Sequence, residues 1–351
     1  MRCVLRCNLK GKTMKVLVYG AGAIGGYLGA ILTAAGEDVT LVARGAQYDA
    51  LSSRGILLEG PRSGRPDPIK VRVCRPGEEK APYDVIFVTL KSQQIAEAAQ
   101  HLRGLVAKDG VFVFPQNGIP WWYFQGIESK FSGKQLKTLD PDGVLMRSFE
   151  PRMIIGGTAL KPADLVEPGR IRLPDADTDA LVIGEIDNSV TPRVQAIAAM
   201  TTRAGWNGRV SDDVRKVKWT KLTGNAVWNS LGAITQSTGR EAAEFPGTRP
   251  LAMALMREVI AVAAAVGTKL DADPEAIVDG VAKRVSLPTS TLQDVRAGRP
   301  LEMDAIVNVV LELGEMTGVA TPSLAVVAAC VNLLNQRITA DGVAIRPVKR
   351  Q

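Results

Sequence analysis

Residues 14–25 read M-K-V-L-V-Y-G-A-G-A-I-G. The apolar run at 16–19 reads as a strand, and glycines follow at 20, 22 and 25. This spacing meets one physical demand, that a nucleotide pyrophosphate must approach the backbone closely. Gly20 permits the tight turn after the strand, Gly22 lets the phosphates come near, and Gly25 lets the next helix sit against the sheet. The helix that follows, starting at Ile24, then turns free N–H groups toward the phosphate charge. The stretch predicts a dinucleotide-binding turn with a strand before it and a helix after it.

Outward from this turn, strand and helix signals alternate. A helix over 24–35 is closed by Gly36, and a strand follows at 38–42. A short strand is expected at 71–73, then V-I-F-V-T-L at 85–90, a helix over 92–105 and a strand at 111–114. A nearly all-apolar strand such as 85–90 suits a parallel sheet covered on both faces. Short strands are expected within 144–156 and 169–184, and a last helix over 191–204. The rhythm predicts an α/β, Rossmann-type doubly wound sheet. After Gly205 the periodicity changes. Ser211 followed by two aspartates is a helix start, and helical stretches run to about 234 and over 251–266, 274–285, 301–317 and 323–338. The expected division is a disordered extension or upstream start at 1–13, a Rossmann domain at 14–208, an all-helical domain at 209–338 and a polar, basic tail at 339–351.

A chain of 351 residues with 46% apolar content is long enough for two domains. It has no apolar run of ~18 residues, so neither a transmembrane span nor a membrane partner is expected. Cys3, Cys7, Cys74 and Cys330 are scattered, with neither metal-ligand spacing nor a disulfide framework. No metal is expected, and a reducing cytoplasmic location is the default. Residues 1–13 hold four basic residues and no acidic one, so without them the formal charge falls from +7 to +3. They are too short and polar for a secretory signal. Nucleic acid is therefore not implied. The remaining surplus suits an anionic cofactor and an anionic substrate, or serves as ordinary solubility charge.

An acidic residue after the second strand of such a fold would bind the adenosine ribose and favour NAD. Here Arg44 stands in that place, in V-A-R-G. A guanidinium suits a 2′-phosphate and favours NADP(H). Asp38 comes too early for the ribose role, and Asp49 lies beyond the turn.

The single histidine, His101, has no polar cluster near it in sequence, so lysines and carboxylates must do any acid–base work. Lys91 directly follows the buried strand 85–90, at the strand edge where doubly wound sheets bind ligands. Asn117, in P-Q-N-G, follows the next strand in the same way, and its amide can donate and accept at once. Asn-Gly is also a common turn pair. In W-T-K-L-T-G-N-A-V-W-N, residues 219–229, Lys221, Asn225 and Asn229 recur every four residues and share one helix face. Such a polar ladder among apolar neighbours marks a buried network or a ligand site. Ser290 and Thr291 lie near a helix start. Glu302 and Asp304 fall where the next helix begins, where acids also serve the helix dipole.

These residues match a known family. The chain resembles the ketopantoate reductases in G-A-G-A-I-G at 20–25, V-T-L-K at 88–91, Q-N-G at 116–118, W-T-K-L-T-G-N-A-V-W-N at 219–229 and S-T-L-Q-D-V-R-A-G-R-P-L-E-M-D at 290–304. The motifs run in family order and span about 14–335. The resemblance implies a Rossmann domain joined to a helical domain like the C-terminal one of 6-phosphogluconate dehydrogenase, with the site in the cleft between them. It implies NADPH-dependent reduction of 2-dehydropantoate, a small anionic 2-keto acid, to (R)-pantoate, in the pantothenate branch leading to coenzyme A. Lys221 would be the catalytic lysine, and Glu302 the carboxylate that holds the substrate hydroxyl. Asn225 and Asn229 would bind substrate, and Ser290 would meet its carboxylate. Gly20, Gly22, Ala23, Ile24 and Gly25 would cradle the cofactor and Arg44 would read its 2′-phosphate. Lys91 and Asn117 would stand on the cofactor side, Asn117 serving the substrate as well.

The chemistry agrees with that reading. Hydride attack on a 2-keto carbon builds negative charge on the carbonyl oxygen, which Lys221 can stabilise and protonate, while the nicotinamide carries the hydride. The segment I-P-W-W-Y-F-Q-G at 119–126, followed by an extra stretch at 128–142, departs from the family pattern. It fits a pocket lining, which would suit a bulkier 2-keto acid, or the start of a core helix. An opine or 3-hydroxy acid dehydrogenase would share the glycine turn but not the Lys–Asn–Asn ladder paired with L-E-M-D. A non-enzymatic dinucleotide sensor would need none of Lys91, Lys221 and Glu302. The Ala-rich helices at 251–266 and 323–338 suit either the core or a homodimer interface.

Overall fold

The computed structural model describes residues 14–61, 67–175 and 178–347. The expected extension at 1–13 and the end of the expected tail lie outside them. The chain divides into two compact units. The first runs to Gln116 and resumes at Phe124–Glu128 and Gly143–Val214; the second comprises Asn117–Tyr123, Ser129–Asp142 and the chain from Arg215 onward.

The first unit follows the expected strand–helix rhythm. Its elements are β1 (Lys15–Tyr19), α1 (Ala23–Ala34), β2 (Asp38–Val42), α2 (Gly45–Ser53), β3 (Leu57–Glu59), β4 (Val73–Cys74), β5 (Tyr83–Val88), α3 (Ile95–Leu105) and β6 (Val106–Phe114). After these come α4 (Val144–Ser148), β7 (Ile154–Leu160), β8 (Asp164–Glu167), β9 (Arg170–Arg172), β10 (Ala180–Glu185), α5 (Pro192–Arg203) and β11 (Gly208–Val210). Eight strands form one sheet in the order β11-β10-β7-β6-β5-β1-β2-β4, and β3, β9 and β8 form a small second sheet. β1 lies between β2 and β5 and is parallel to both, with Val16 opposite Val39 on one side and Val85 on the other. Val16, Leu17 and Val18 are wholly buried, as an apolar central strand of a parallel sheet requires. The chain leaves β1 for β2 on one side and later returns to build β5 on the other. The reversal of winding therefore falls at the carboxyl end of β1, where doubly wound sheets take ligands.

Three details differ from the sequence reading. Of the stretch 144–156, where short strands were expected, the strand β7 begins only at Ile154, and residues 144–148 form a helix that follows Gly143 at φ +68° and buries Leu145. α2 was not anticipated, since only Ala50 and Leu51 face inward and the amphipathic signal is faint. The boundary falls later than 208/209. β11 pairs with β10 and Ser211 N donates to Ile183 O at 2.8 Å, so the sheet holds the chain as far as Val214.

The second unit is helical: α6 (Val214–Thr235), α7 (Gly239–Glu244), α8 (Thr248–Ala265), α9 (Pro274–Ala282), α10 (Ser290–Ala297), α11 (Val309–Thr317) and α12 (Pro322–Asp341). A π-helical turn, Asp304–Asn308, precedes α11, where one continuous helix was expected. The Ala305 carbonyl in this turn accepts from Ile119 N at 2.8 Å. At the start of α12, Ser323 N and Leu324 N donate to the Glu258 carboxylate at 2.9 and 2.8 Å, so a side chain from α8 satisfies end groups that the helix leaves open. Among the described residues, α12 is the one helix long and apolar enough to cross a membrane. It is tied into this unit by Glu258 and by reciprocal amide bonds between Asn332 and Asn308 at 2.8 and 3.2 Å. The expected tail starts later than 339. α12 reaches Asp341, and beyond it Ile345 N donates to Val295 O and Arg346 Nε to Arg296 O.

The aromatic segment is core, built of turns rather than helix. Trp121, Trp122, Tyr123 and Phe124 are all buried. Tyr123 joins α6 to the segment between α8 and α9. Its hydroxyl accepts from Trp219 Nε1 at 2.8 Å and shares a bond with Thr268 Oγ1 at 3.0 Å, and its carbonyl accepts from Arg215 Nε at 2.7 Å. The following stretch is fixed by Glu312, whose carboxylate accepts from Lys137 N and Thr138 N at 2.7 and 3.0 Å.

Candidate active site

The glycine turn occupies the switch point of the sheet. Gly20 takes φ +111°, a region open to glycine. A side chain at Gly25 would place its Cβ 2.0 Å from Gly20 O and 2.4 Å from Thr89 Oγ1, so only glycine lets α1 pack this close. Nothing lies within 4 Å of the corresponding position at Gly22. The backbone there is open to approach, and Ala23 and Ile24 follow as the first residues of α1.

Two residues outside the expected set stand at this strand edge: one holds the turn and the other holds the stretch beside it. Thr89, just after β5, donates its hydroxyl to Gly20 O at 2.6 Å. Gln116, after β6, donates to the Val88 and Leu90 carbonyls. Both stand in stretches that the motifs already include, V-T-L-K and Q-N-G, but neither carries a charge that would single it out. Lys91 follows at the same edge, half-buried, with its N–H on Gln94 Oε1 at 3.2 Å. Arg44 caps the start of α2 from the end of β2 and is exposed. Asp49 is 3.7 Å from Arg75, and His101 lies 3.0 Å from Glu79.

The helical unit gathers most of the remaining candidates. Lys221, Asn225 and Asn229 lie on α6 at four-residue spacing, and Leu222, Ala226 and Val227 between them are buried. Lys221 Nζ donates to Asn117 Oδ1 at 2.7 Å. Asn229 is 3% exposed, and its Nδ2 has no partner, nor has the neighbouring Ser230 Oγ. A buried amide donor left open is costly unless a ligand completes it. Glu302, half-buried, sits just ahead of the π-turn. Burial pulls the Lys221 ammonium down to about 8, and the Glu302 carboxylate pulls the other way. Ser290 is the exposed first residue of α10. Its neighbour Thr289 caps that helix and lies 3.8 Å from a Cβ placed at Gly232, one turn beyond Asn229. Ser290 is thus set near the ladder's far end rather than bonded into it.

The sequence reading passed over Lys218. It is 2% exposed and lies one turn before Lys221 on α6. Burial and the neighbouring Lys221 charge bring it down to about 7, against an opposing pull from Glu302. The signal was the K-x-x-K spacing, visible in K-W-T-K but overshadowed by the asparagines. Among the described residues no group of three His, Cys, Asp or Glu side chains is arranged to hold a metal ion.

A glycine turn at the switch point and a buried lysine on an asparagine-lined helix define a two-domain, dinucleotide-binding oxidoreductase. Two family profiles agree: ketopantoate reductase PanE/ApbA matches residues 16–188, and its C-terminal counterpart matches residues 213–335. The chain belongs to the ketopantoate reductase family. A 2-dehydropantoate 2-reductase from Mesorhizobium japonicum is 35% identical over 92% of this chain and 98% of its own length. The crystal structure of 2-dehydropantoate 2-reductase from Geobacter metallireducens is 28% identical with a TM-score of 0.78, covering 91% of this chain and 99% of that one. The ternary structure of D-mandelate dehydrogenase with NADH and anilino(oxo)acetate shares the fold, with a TM-score of 0.79 at 20% identity over 93% of this chain and 99% of that one.

Proposed function

We propose that the protein is an NADPH-dependent 2-dehydropantoate 2-reductase, which reduces ketopantoate to (R)-pantoate on the route to pantothenate and coenzyme A. The observation that carries this reading is the Lys221–Asn117 bond at the head of an asparagine ladder. It is a fixed proton donor beside open amide groups. When bound, NADPH supplies the hydride. Gly20, Gly22, Ala23, Ile24 and Gly25 fit its pyrophosphate, since the Gly22 position is open and Gly25 sets α1 close behind it. Arg44 is proposed to take the 2′-phosphate, and Lys91 to stand on the cofactor side.

Lys221 holds the proton that the carbonyl oxygen takes up, and its ammonium stabilises the charge developing there. Asn117 keeps that ammonium oriented and lies within reach of substrate. Asn225 and the open Nδ2 of Asn229 donate to the acid, Ser290 meets its carboxylate, and Glu302 accepts from the substrate hydroxyl. Trp121–Phe124 pack in the core, so they offer no ground for a bulkier acid. Assembly as a homodimer is inferred from α12, which exposes Val326, Cys330 and Leu333 along one face, and the protein is proposed to work in the cytoplasm.

NADPH oxidation over a panel of 2-keto acids tests the reading. Ketopantoate is expected to show the highest kcat/KM; a higher value for another acid would replace it. Arg44→Ala should raise KM for NADPH about tenfold with little change for NADH. An unchanged NADPH value would remove the cofactor assignment.

A further inference from the structure

Gly118 has no part in the mechanism above, yet it sits against the π-turn with no space to spare. It is buried and takes φ +78°. A Cβ there would lie 2.0 Å from Ala305 O and 2.5 Å from Ala305 C, both backbone atoms. The next residue, Ile119, is 1% exposed and donates its N–H to the same Ala305 carbonyl at 2.8 Å. One carbonyl of the π-turn thus takes the close packing of Gly118 and the hydrogen bond of Ile119. An Asn-Gly turn by itself needs glycine only for the backbone angle. The approach to Ala305 is a second demand, which the turn does not make, and only glycine meets both.

The contact lies between two groups that act on Lys221. Immediately before Gly118 stands Asn117, whose Oδ1 accepts from Lys221 Nζ at 2.7 Å. Three residues before Ala305 stands Glu302, whose charge acts on the same ammonium. Amide and carboxylate come from stretches far apart in sequence, and those stretches meet at Gly118 and Ala305. π-helical turns recur at functional sites, and a misplacement of about 1 Å in a reacting arrangement can cost about a hundredfold in rate. We propose that Gly118 is a positioning residue for the reduction: its seat on the Ala305 carbonyl fixes Asn117 Oδ1 against the Lys221 ammonium and keeps that bond in register with Glu302. It acts through Asn117 rather than on the reacting atoms. This rests on the reductase reading above.

The test is a double-mutant cycle on kcat for ketopantoate, at saturating NADPH and per folded molecule. Gly118→Ala must push residues 117–119 off the π-turn. It should lower kcat about tenfold, as Asn117→Ala does, while KM for NADPH stays within about twofold. In an Asn117→Ala background the same change should cost less than about twofold, because the bond it disturbs is already gone. The pH profile gives a second readout. An acceptor on an ammonium favours the charged form. Gly118→Ala should therefore move the falling limb of kcat to lower pH, with Lys218 and Glu302 still acting on Lys221. A glycine needed only for folding would lower the denaturation midpoint and leave the limb and the rate per folded molecule unchanged. Ala305→Gly is the milder variant, since it keeps the carbonyl and frees the backbone behind it. It should lower kcat about threefold, again only where Asn117 is present, and it decides the matter if Gly118→Ala does not fold. A loss that multiplies onto that of Asn117→Ala, or an unaltered kcat in a folded variant, overturns the proposal. If the unaltered enzyme turns over no 2-keto acid, the reductase reading falls and this inference with it; if it is active and the cycle is additive, this inference falls alone.

Discussion

Lys221 Nζ donates a 2.7 Å hydrogen bond to Oδ1 of Asn117, 104 residues earlier in the chain. An amide oxygen accepts without adding charge, so it orients the ammonium while leaving its proton available. Asn117→Ala should lower kcat about tenfold or more, the rate equivalent of one lost hydrogen bond to a charged group, with KM for NADPH little changed. Steady-state kinetics with ketopantoate checks it. An unaltered kcat would mean that the bond has no part in the reaction.

The rate should also follow the Lys221 proton. The donor form exists below its pKa, which burial holds at about 8. The kcat for reduction is therefore expected to fall as the pH rises through about 8. Glu302 pulls that value upward, so Glu302→Gln should move the falling limb to lower pH. A pH–rate profile of both proteins gives the direction, and a shift to higher pH in the variant would contradict it.

Gly25→Ala should weaken both the fold and cofactor binding. The new Cβ would stand 2.0 Å from Gly20 O, a backbone atom, so α1 must move away from β1. Overpacking of this kind costs about 1–3 kcal/mol, read by chemical denaturation. KM for NADPH should rise in parallel, because the displaced helix start is the proposed phosphate site.

Tyr123→Phe should destabilise without touching cofactor affinity. It strips the hydroxyl that Trp219 Nε1 and Thr268 Oγ1 share, both in buried surroundings. Leaving them unpaired costs about 1–3 kcal/mol. A lower denaturation midpoint with unchanged NADPH binding is the expected result.

The alternation of strands and helices in the first unit was legible because β1 and β5 carry apolar runs, V-L-V-Y at 16–19 and V-I-F-V at 85–88, and because helical stretches lie between the strands. The lysine and asparagines of α6 were legible because helical spacing alone puts them on one face. What stayed hidden depends on long-range packing. α2 buries too little for a clear periodicity, and the carbonyl of Ala305 in the π-turn at Asp304–Asn308 accepts a hydrogen bond from Ile119, far away in sequence. The aromatic segment could not be placed from its residues, since aromatics fill cores and line pockets equally well. The Thr89 clasp on Gly20 needs two strands to be neighbours before it exists.

The helical unit is assembled from three separate stretches of chain. The first short one supplies the acceptor for Lys221, the donor for the Ala305 carbonyl and the tyrosine that accepts from Trp219, and the second supplies the Lys137 and Thr138 N–H groups held by Glu312. A chimera that borrows only the chain from Arg215 onward would import a lysine without its oriented partner and a core with a missing wedge. Grafting this half of the molecule onto a relative is expected to succeed only when residues 117–123 and 129–142 travel with it, so the transferable cassette is discontinuous in the gene although it forms one compact unit.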